Sequence, residues 1–358
     1  MRIVITGASG NLGTALLRRL ARDGSEHEVV GVVRRPPTAA GAPYDAVSWV
    51  ELDLAEPGAR EALQPVMSGA DAVVHLVWGF QPSRDVAYLD RTGVGGTSAV
   101  LAAAGDAGVD HLVHLSSLGA YSPGPDDRRV DESWPTEGIE SLAYSREKVA
   151  AERLLDEYES ANPDGTAIAR IRPAIVMQRD AGSALLRYGL PPYVPAALLR
   201  HLPVLPVDRR LVVQVVHADD VADAVIRVLE QRATGAFNVA AEPPLTRDDI
   251  AEALGARPVH VPMQVLRMAT ALAWRARLQP LDPGWLDLGL AVPLMDTIRA
   301  QRELGWRASV TAHDALTEAV DGMTDAAATS SPALRPRSVL RQLGQLVRRG
   351  PIGDRRLP

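Results

Sequence analysis

The chain has 358 residues, of which 46% are hydrophobic and 23% are charged, and its formal net charge is −6. This composition is typical of a globular protein, and the negative charge disfavours general binding to nucleic acid or to anionic membranes. The sequence contains no cysteine, which excludes disulfides, thiol nucleophiles and cysteine-ligated metals, and it shows neither a signal-peptide pattern nor a membrane-spanning apolar run. We therefore expect a soluble, cytoplasmic protein.

Strand patterns and helix patterns alternate through the first 177 residues. Continuous apolar runs predict strands over residues 2–6, 29–33, 47–52, 70–76, 111–115 and 167–172. Helices are predicted between them over residues 12–23, 92–108 and 141–160. Such alternation is typical of a parallel sheet covered by helices on both faces. We therefore predict a doubly wound α/β domain over residues 1–177.

The composition of the sequence changes after residue 177. Residues 182–206 are rich in Pro, Leu, Ala and Val, and their prolines prevent a long helix. Residues 208–240 return to a strand, a helix and a short strand, so we assign them to the first domain. Thr246, followed by two acids, predicts a helix N-terminus. The rest of residues 178–325 is predicted to form a smaller substrate-binding lobe.

The C-terminal segment differs from both regions. Residues 326–332 have the composition of a linker, and beyond them one acid stands against seven arginines: Arg335, Arg337, Arg341, Arg348, Arg349, Arg355 and Arg356. Apolar residues between 339 and 347 fall at helical spacing, which predicts a basic amphipathic helix. The sequence favours packing of this tail on the acidic body or a neighbouring subunit over docking on lipid.

Three glycines follow the first predicted strand and open the first helix. Gly7, Gly10 and Gly13 allow a tight turn and let backbone N–H groups approach a pyrophosphate at the helix N-terminus. A purely structural turn is the alternative interpretation. We predict a dinucleotide site whose loop residues are Gly7, Ser9, Gly10, Asn11, Leu12 and Gly13.

The end of the second strand indicates which nicotinamide cofactor is bound. An acid there would hold the adenosine ribose and repel a 2′-phosphate, but this chain has Val33 followed by Arg34 and Arg35. Arginine binds phosphate through charge-assisted bonds, so the pattern favours NADP over NAD; the alternative is that both arginines are solvated loop charges. Asp53, beside Leu54, is expected to accept a hydrogen bond from the adenine amino group.

Tyr144 and Lys148 stand four residues apart and therefore lie on one face of the predicted helix. A free tyrosine, with a pKa of about 10, exchanges protons poorly near neutrality. A nearby lysine ammonium favours the phenolate and lowers that pKa. With Ser116 and Ser117 between the glycine loop and this helix, the pattern predicts a phenolic acid/base beside a nicotinamide cofactor.

From residue 1 to about residue 325, the motifs and their order resemble an extended short-chain dehydrogenase/reductase of the NAD-dependent epimerase/dehydratase type. The resemblance implies a Rossmann fold, with Ser117 orienting the substrate oxygen, Tyr144 acting as acid/base and Lys148 also gripping the nicotinamide ribose. Leu76 and Pro173, which close the fourth and sixth strands, complete the predicted cofactor-binding set. Relatives often form homodimers, and the resemblance leaves a homodimer open here.

The sequence departs from the family pattern at several positions. Gly93 stands where relatives often have an asparagine that supports a water relay. Leu118–Gly119 replace the acidic pair of sugar-nucleotide dehydratases, and Ala174 and Val213 replace the asparagine and arginine of nucleotide-sugar epimerases. A buried sugar diphosphate without its cationic partner is costly, so these departures disfavour nucleotide-sugar substrates.

The region around the predicted entrance is apolar. Leu185 to Val207 form a candidate lid, and Trp78 and Phe80 follow the fourth strand. Such walls indicate an apolar ketone or alcohol as substrate, although these side chains can equally pack a small lobe. The histidines show no metal-ligand spacing, so we expect no metal.

The predicted reaction is hydride transfer between NADPH and a carbonyl or secondary alcohol. Two alternatives stay open on the sequence. One is an epimerase that retains NAD, and the other is a non-catalytic NADP-binding sensor or assembly factor.

Overall fold

The structure is a computed structural model that describes residues 1–24, 27–38, 41–79, 85–125, 128–189, 195–279 and 281–337. Its strands are β1 Arg2–Thr6, β2 Glu28–Val33, β3 Val47–Glu51, β4 Ala72–His75, β5 His111–Leu115, β6 Ala167–Pro173, β7 Ile175–Met177, β8 Val204–Val207, β9 Val212–Val213, β10 Val215–His217, β11 Gly235–Val239, β12 Leu245–Thr246 and β13 Arg257–His260. Its α-helices are α1 Asn11–Arg22, α2 Ala59–Met67, α3 Val86–Asp90, α4 Gly96–Asp106, α5 Ala143–Ala161, α6 Gly182–Gly189, α7 Ala218–Gln231, α8 Arg247–Ala253, α9 Met263–Arg275, α10 Gly284–Ala291, α11 Ile298–Glu303 and α12 Ala312–Thr324.

Within the described residues, seven strands form one parallel sheet in the order β11-β6-β5-β4-β1-β2-β3. β1 lies between β2 and β4, and Thr6 is in register with Val32 on one side and His75 on the other. The strand order therefore reverses beside β1, and the carboxyl ends of β1, β4 and β5 border a crevice. The predicted doubly wound parallel sheet is confirmed, and this crevice is where the candidate site lies.

Apolar side chains cover both faces of the sheet. On one face, Leu16 of α1 and Val221 of α7 pack in a buried cluster with β-strand residues. On the other face, Leu63 of α2, Val100 of α4 and Leu155 of α5 form a second buried cluster. Continuous apolar strands are required for such two-sided burial, which explains why these strands could be predicted closely.

Two predicted elements differ from the structure. The helix predicted over 92–108 begins at Val86 and passes through a π-helical turn, Arg91–Gly95, before α4. The single strand predicted over 212–216 is two strands, because buried Gln214 exchanges hydrogen bonds with the backbone of Met295 (2.6 and 3.1 Å). β9 and β10 consequently pair with different partners, β12 and β7.

The smaller lobe contains β8, β13 and helices α8 to α10. The predicted N-terminus at Thr246 is confirmed, since its hydroxyl and Asp249 form a reciprocal cap of α8. No helix within the described ranges combines the length and apolar character needed to span a membrane. Phe80, residues 190–194 of the predicted lid and residues 338–358 of the predicted basic tail lie outside the described residues.

The segment interpreted as a linker packs against the domain. Ser331 and Leu334 are buried, and the hydroxyl of Ser331 donates to the carbonyl of Ser9 in the glycine loop. The guanidinium of Arg187 in α6 donates to the carbonyl of Ala333 (2.6 Å). Residues 326–337 therefore form an anchored arm rather than a free connection, because their backbone carbonyls and small side chains find partners on the body.

Candidate active site

The glycine loop joins β1 to α1 in a conformation that requires glycine at two positions. Gly7 has φ +75°, and a Cβ there would lie 3.0 Å from the backbone nitrogen of Val77. A Cβ on Gly13 would lie 2.4 Å from the carbonyl oxygen of Ala8. The first turn of α1 thus packs directly onto the loop, and neither position admits a side chain.

The N-terminus of α1 offers hydrogen-bond donors for an anion. Gly10 caps the helix without a side-chain bond. In the described part of the chain, the backbone N–H groups of Asn11, Leu12 and Gly13 have no acceptor. These donors and the positive end of the helix dipole fit a pyrophosphate. The Asn11 side chain itself is engaged, because its amide oxygen accepts from Gln178 (2.6 Å).

Tyr88 bridges Arg34, which follows β2, and Asp53, which follows β3. The sequence analysis did not identify Tyr88. The Tyr88 hydroxyl donates to the Asp53 carboxylate (2.8 Å) and accepts from the Arg34 guanidinium (2.7 Å). The guanidinium of Arg91 lies 5.7 Å from the centre of the Tyr88 ring. Tyr88 belongs to no motif, so the sequence carried no signal for it. Arg35 is exposed in the bend after β2.

The structure brings Ser117 and Tyr144 together at the end of β5. The Ser117 hydroxyl accepts from the backbone N–H of Gly119 (3.0 Å) and lowers the pKa of the neighbouring Tyr144 phenol. A Cβ on Gly119 would lie 3.1 Å from the Tyr144 ring, so the missing side chain lets the phenol approach the serine. A hydroxyl pair of this kind can hold one carbonyl oxygen between two donors.

Lys148 lies on the same helix face, and its ammonium contacts the Leu115 carbonyl and the Trp78 ring. Its ammonium donates to the carbonyl of Leu115 (2.8 Å) and stands 3.4 Å from the centre of the Trp78 ring, a cation–π contact. Burial lowers the pKa of Lys148 to about 7. The Trp78 indole thus covers the ammonium, whereas the sequence analysis interpreted Trp78 only as part of the apolar wall of the site.

The expected lowering of the Tyr144 pKa is wrong for this structure. Burial raises the pKa of the phenol to about 12; the hydrogen bond from Ser117 opposes this rise and the Glu147 carboxylate adds to it. Lys148 does not offset the rise because its ammonium is held by Leu115 and Trp78. The phenol therefore keeps its proton at neutral pH.

Two tryptophans flank the phenol. The Trp78 ring meets the Tyr144 ring edge-on with centroids 6.4 Å apart, and the Trp285 ring lies 5.2 Å away at a tilt of 31°. A Cβ on Gly93, in the π-helical turn, would lie 3.1 Å from the Trp78 ring. The Trp78 indole thus packs against Gly93, on the side where relatives often carry an asparagine side chain. Nothing in the sequence indicated Trp285, which reaches the site from α10.

Glu147 is a buried carboxylate between Tyr144 and Lys148 in sequence. Its side chain is 6% exposed, and its Oε1 atom has no hydrogen-bond partner in the described ranges. Burial raises the pKa of Glu147 to about 7 and nearby Asp90 adds to the rise, against the opposing effect of Arg146 and Lys148.

A buried ionic cluster ties the α5 helix to the sheet. The Glu152 carboxylate accepts from Ser116 (2.5 Å), Arg172 (2.8 Å) and Arg170 (3.0 Å). Burial raises the pKa of Glu152, but the guanidinium of Arg172 and the other donors outweigh it and hold the pKa at about 2. Because Glu152 is two turns beyond Tyr144, this cluster fixes the rotation of the helix that carries the phenol.

The remaining predicted cofactor-binding residues lie at the same edge of the sheet or behind it. Leu76 follows β4, where its backbone N–H donates to Thr6 (3.0 Å), and Pro173 ends β6. Leu54 is buried and faces Gly96 of α4. The structure therefore groups the glycine loop, Leu76, the hydroxyl pair and Lys148 around one crevice, with Arg34 and Asp53 at its far end.

Comparison with known proteins identifies the class to which this fold and site belong. The model of the NAD dependent epimerase/dehydratase family matches residues 3–240. The chain therefore belongs to this family, whose members are enzymes.

Individual relatives are more distant. An uncharacterized protein of Mycobacterium tuberculosis is 29% identical over 318 residues, which are 88% of this chain but 29% of that protein. The chain thus spans less than a third of the length of that relative. A ketoreductase of Stigmatella aurantiaca that acts on 4-hydroxy-2-methyl-3-oxo-4-farnesyl-3,4-dihydroquinoline-1-oxide is 28% identical over 326 residues, 87% of this chain and 93% of that one.

Solved structures show the same fold. The UDP-glucose 4-epimerase of Thermus thermophilus, solved in complex with NAD, superimposes with a TM-score of 0.65 at 21% identity, covering 90% of this chain and 99% of the epimerase.

Proposed function

We propose that this protein is an NADPH-dependent reductase that converts an apolar ketone to a secondary alcohol. The observation that carries the proposal is that Ser117 and Tyr144 both lie against Gly119, with the Tyr144 ring set between the rings of Trp78 and Trp285. Two donors suit one carbonyl oxygen, and two indoles suit an apolar body.

In the proposed reaction the substrate carbonyl oxygen accepts hydrogen bonds from Ser117 and Tyr144. Tyr144 transfers its proton to that oxygen, and Ser117 keeps the oxygen in place. A reduced nicotinamide, when bound, supplies the hydride to the carbonyl carbon. The backbone donors of Asn11, Leu12 and Gly13 would hold the pyrophosphate, and Lys148 would hold the nicotinamide ribose once Trp78 no longer covers it.

Reduction requires a phenol that donates a proton to the carbonyl oxygen. Burial raises the pKa of Tyr144, so the phenol carries the proton that this step needs. The name of the Stigmatella relative, a ketoreductase with a farnesylated substrate, supports the same direction and the same substrate class.

The preference for NADPH rests on the residues beyond β2. Arg34 and Arg91 both lie against Tyr88, and no acid closes β2. Two guanidiniums near one hydroxyl suit a ribose 2′-phosphate. The second candidate function is an epimerase with retained NAD, which the solved epimerase complexed with NAD favours.

The test combines cofactor analysis with substrate turnover. The purified protein is denatured, its released nucleotides are identified by mass spectrometry, and fresh protein is then assayed for oxidation of NADPH or NADH with apolar ketones. We expect NADPH oxidation that requires a ketone and is lost in Ser117→Ala. Tightly bound NAD, no net coenzyme oxidation and interconversion of a sugar nucleotide would contradict the proposal and establish the epimerase.

A further inference from the structure

The helix α9 carries an apolar stripe on its outer side. None of its residues is buried, and the side chains of Val265, Met268 and Leu272 are 52%, 65% and 63% exposed. These residues stand at i, i+3 and i+7, with exposed Ala269 and Ala276 beside them, so they form one stripe along the helix. In a globular protein such a stripe normally faces the core, whereas here it faces outward.

The segment that contains this stripe is positively charged, although the whole chain is acidic. No acid occurs from residue 255 to residue 281, and four exposed arginines do: Arg257, Arg267, Arg275 and Arg277. Arg267 pairs with Asp287 of α10 (3.0 Å). In the described ranges, none of the other three arginines forms an ion pair.

Charge decides which of three occupants this face fits. The chain's own C-terminal segment is apolar enough, but it carries seven arginines against one acid, so it would bring like charges together. A second copy of α9 would do the same. An anionic lipid surface complements the arginines and also accepts the apolar stripe. We propose that α9 docks on an anionic bilayer surface, with its stripe at the acyl boundary and its arginines at the lipid phosphates.

The position of α9 relates this surface to the candidate active site. The Arg267–Asp287 ion pair joins α9 to α10, and α10 carries the Trp285 ring that lies against Tyr144. Docking through α9 would therefore hold the apolar side of the site close to lipid. The docking itself does not depend on the proposed reaction, because it is measured without turnover.

The test is co-sedimentation of the full-length protein with vesicles of phosphatidylcholine, with and without phosphatidylglycerol. We expect binding only when phosphatidylglycerol is present. Replacing two exposed apolar side chains, Met268→Gln with Leu272→Gln, should weaken the vesicle partition coefficient roughly tenfold to a hundredfold. Arg275→Gln with Arg277→Gln should weaken it roughly tenfold, and added salt should do the same.

The matched control is Ile298→Gln, which removes an apolar side chain of 45% exposure from α11 and should leave the partition coefficient unchanged. Circular dichroism establishes that each variant is folded. Unchanged partition of the α9 variants would overturn the proposal, as would a loss that follows only from Arg348→Gln with Arg349→Gln in the tail. If sedimentation velocity shows a dimer that the Met268 and Leu272 substitutions dissociate, a second copy covers the face and the proposal is wrong.

Discussion

The two walls of the candidate site are built differently. On the sheet side, polar groups have defined partners: Glu152 binds Arg172, and the Lys148 ammonium binds the Leu115 carbonyl. On the lobe side, the Trp285 ring lies 5.2 Å from the Tyr144 ring, and α9, which an ion pair joins to α10, has no buried residue. From this difference we infer, under the proposed function, that the sheet side fixes the chemistry while the lobe side selects what is bound.

The largest effect is expected at the phenol itself. Tyr144→Phe keeps the ring between the two tryptophans but removes the proton donor, so turnover should fall on the order of 10²–10⁴-fold. Affinity for NADPH, measured by fluorescence titration, should be little changed. Tyr158→Phe, on the same helix but bonded to Thr166, is the control that should keep full turnover. A Tyr144→Phe enzyme with parental turnover would show that another group donates the proton.

The cofactor end of the sheet side should respond next. Arg34→Gln removes a cation that lies 2.7 Å from the Tyr88 hydroxyl and should weaken NADPH binding roughly 10- to 100-fold. Binding of NADH should change little, because it has no 2′-phosphate. Isothermal titration with both coenzymes measures the ratio, and Arg302→Gln on α11 controls for the loss of one charge. An equal loss for both coenzymes would contradict the assignment of Arg34 to the phosphate.

Glu147, on the same side, has a carboxylate oxygen without such a partner in the described ranges, and pH should reveal it. Its pKa of about 7 lies above the ordinary value of 4.5, so the folded state binds more protons than the unfolded state between these values. The free energy of unfolding should therefore fall as pH rises from about 4.5 to about 7.

Glu147→Gln removes this penalty and should be about 1–2 kcal/mol more stable than the parent at pH 8. The difference should vanish as the pH falls below about 4.5. Urea unfolding at several pH values measures it, and Glu230→Gln on the surface of α7 is the matched control. A stability difference that does not depend on pH would show that Glu147 is paired in solution.

The smallest effect is expected on the lobe side. Trp285→Leu removes one ring from the phenol and should raise the KM for apolar ketones roughly two- to tenfold. The kcat should change less, because Ser117 and Tyr144 are both retained. A kcat loss equal to that of Tyr144→Phe would mean that the lobe positions the phenol and that the two walls are not separate in function.

Local patterns explain what the sequence could predict. The strand over 111–115 was predicted to the residue because every side chain in it is buried, and two-sided burial leaves a continuous apolar run. The glycine loop could be predicted because backbone geometry excludes a Cβ at Gly7 and Gly13. Ser117 and Tyr144 were placed together by their resemblance to a known arrangement of motifs.

Features that depend on distant contacts could not be predicted. The π-helical turn at Arg91–Gly95 accompanies the packing of Trp78 on Gly93, and the Lys148 environment depends on the same indole. Trp285 reaches the phenol from a helix about 140 residues further along the chain. Side-chain meetings of this kind follow from tertiary packing and leave no periodic signal.

The most direct test is transfer of deuterium from NADPH labelled at the nicotinamide C4 position. A ketone that the enzyme consumes is incubated with each C4 stereoisomer of the labelled coenzyme, and the alcohol is analysed by mass spectrometry and NMR. We predict one deuterium on the carbinol carbon from one stereoisomer and none from the other, with the hydroxyl hydrogen taken from solvent. An alcohol without deuterium from either stereoisomer would contradict hydride transfer at this site.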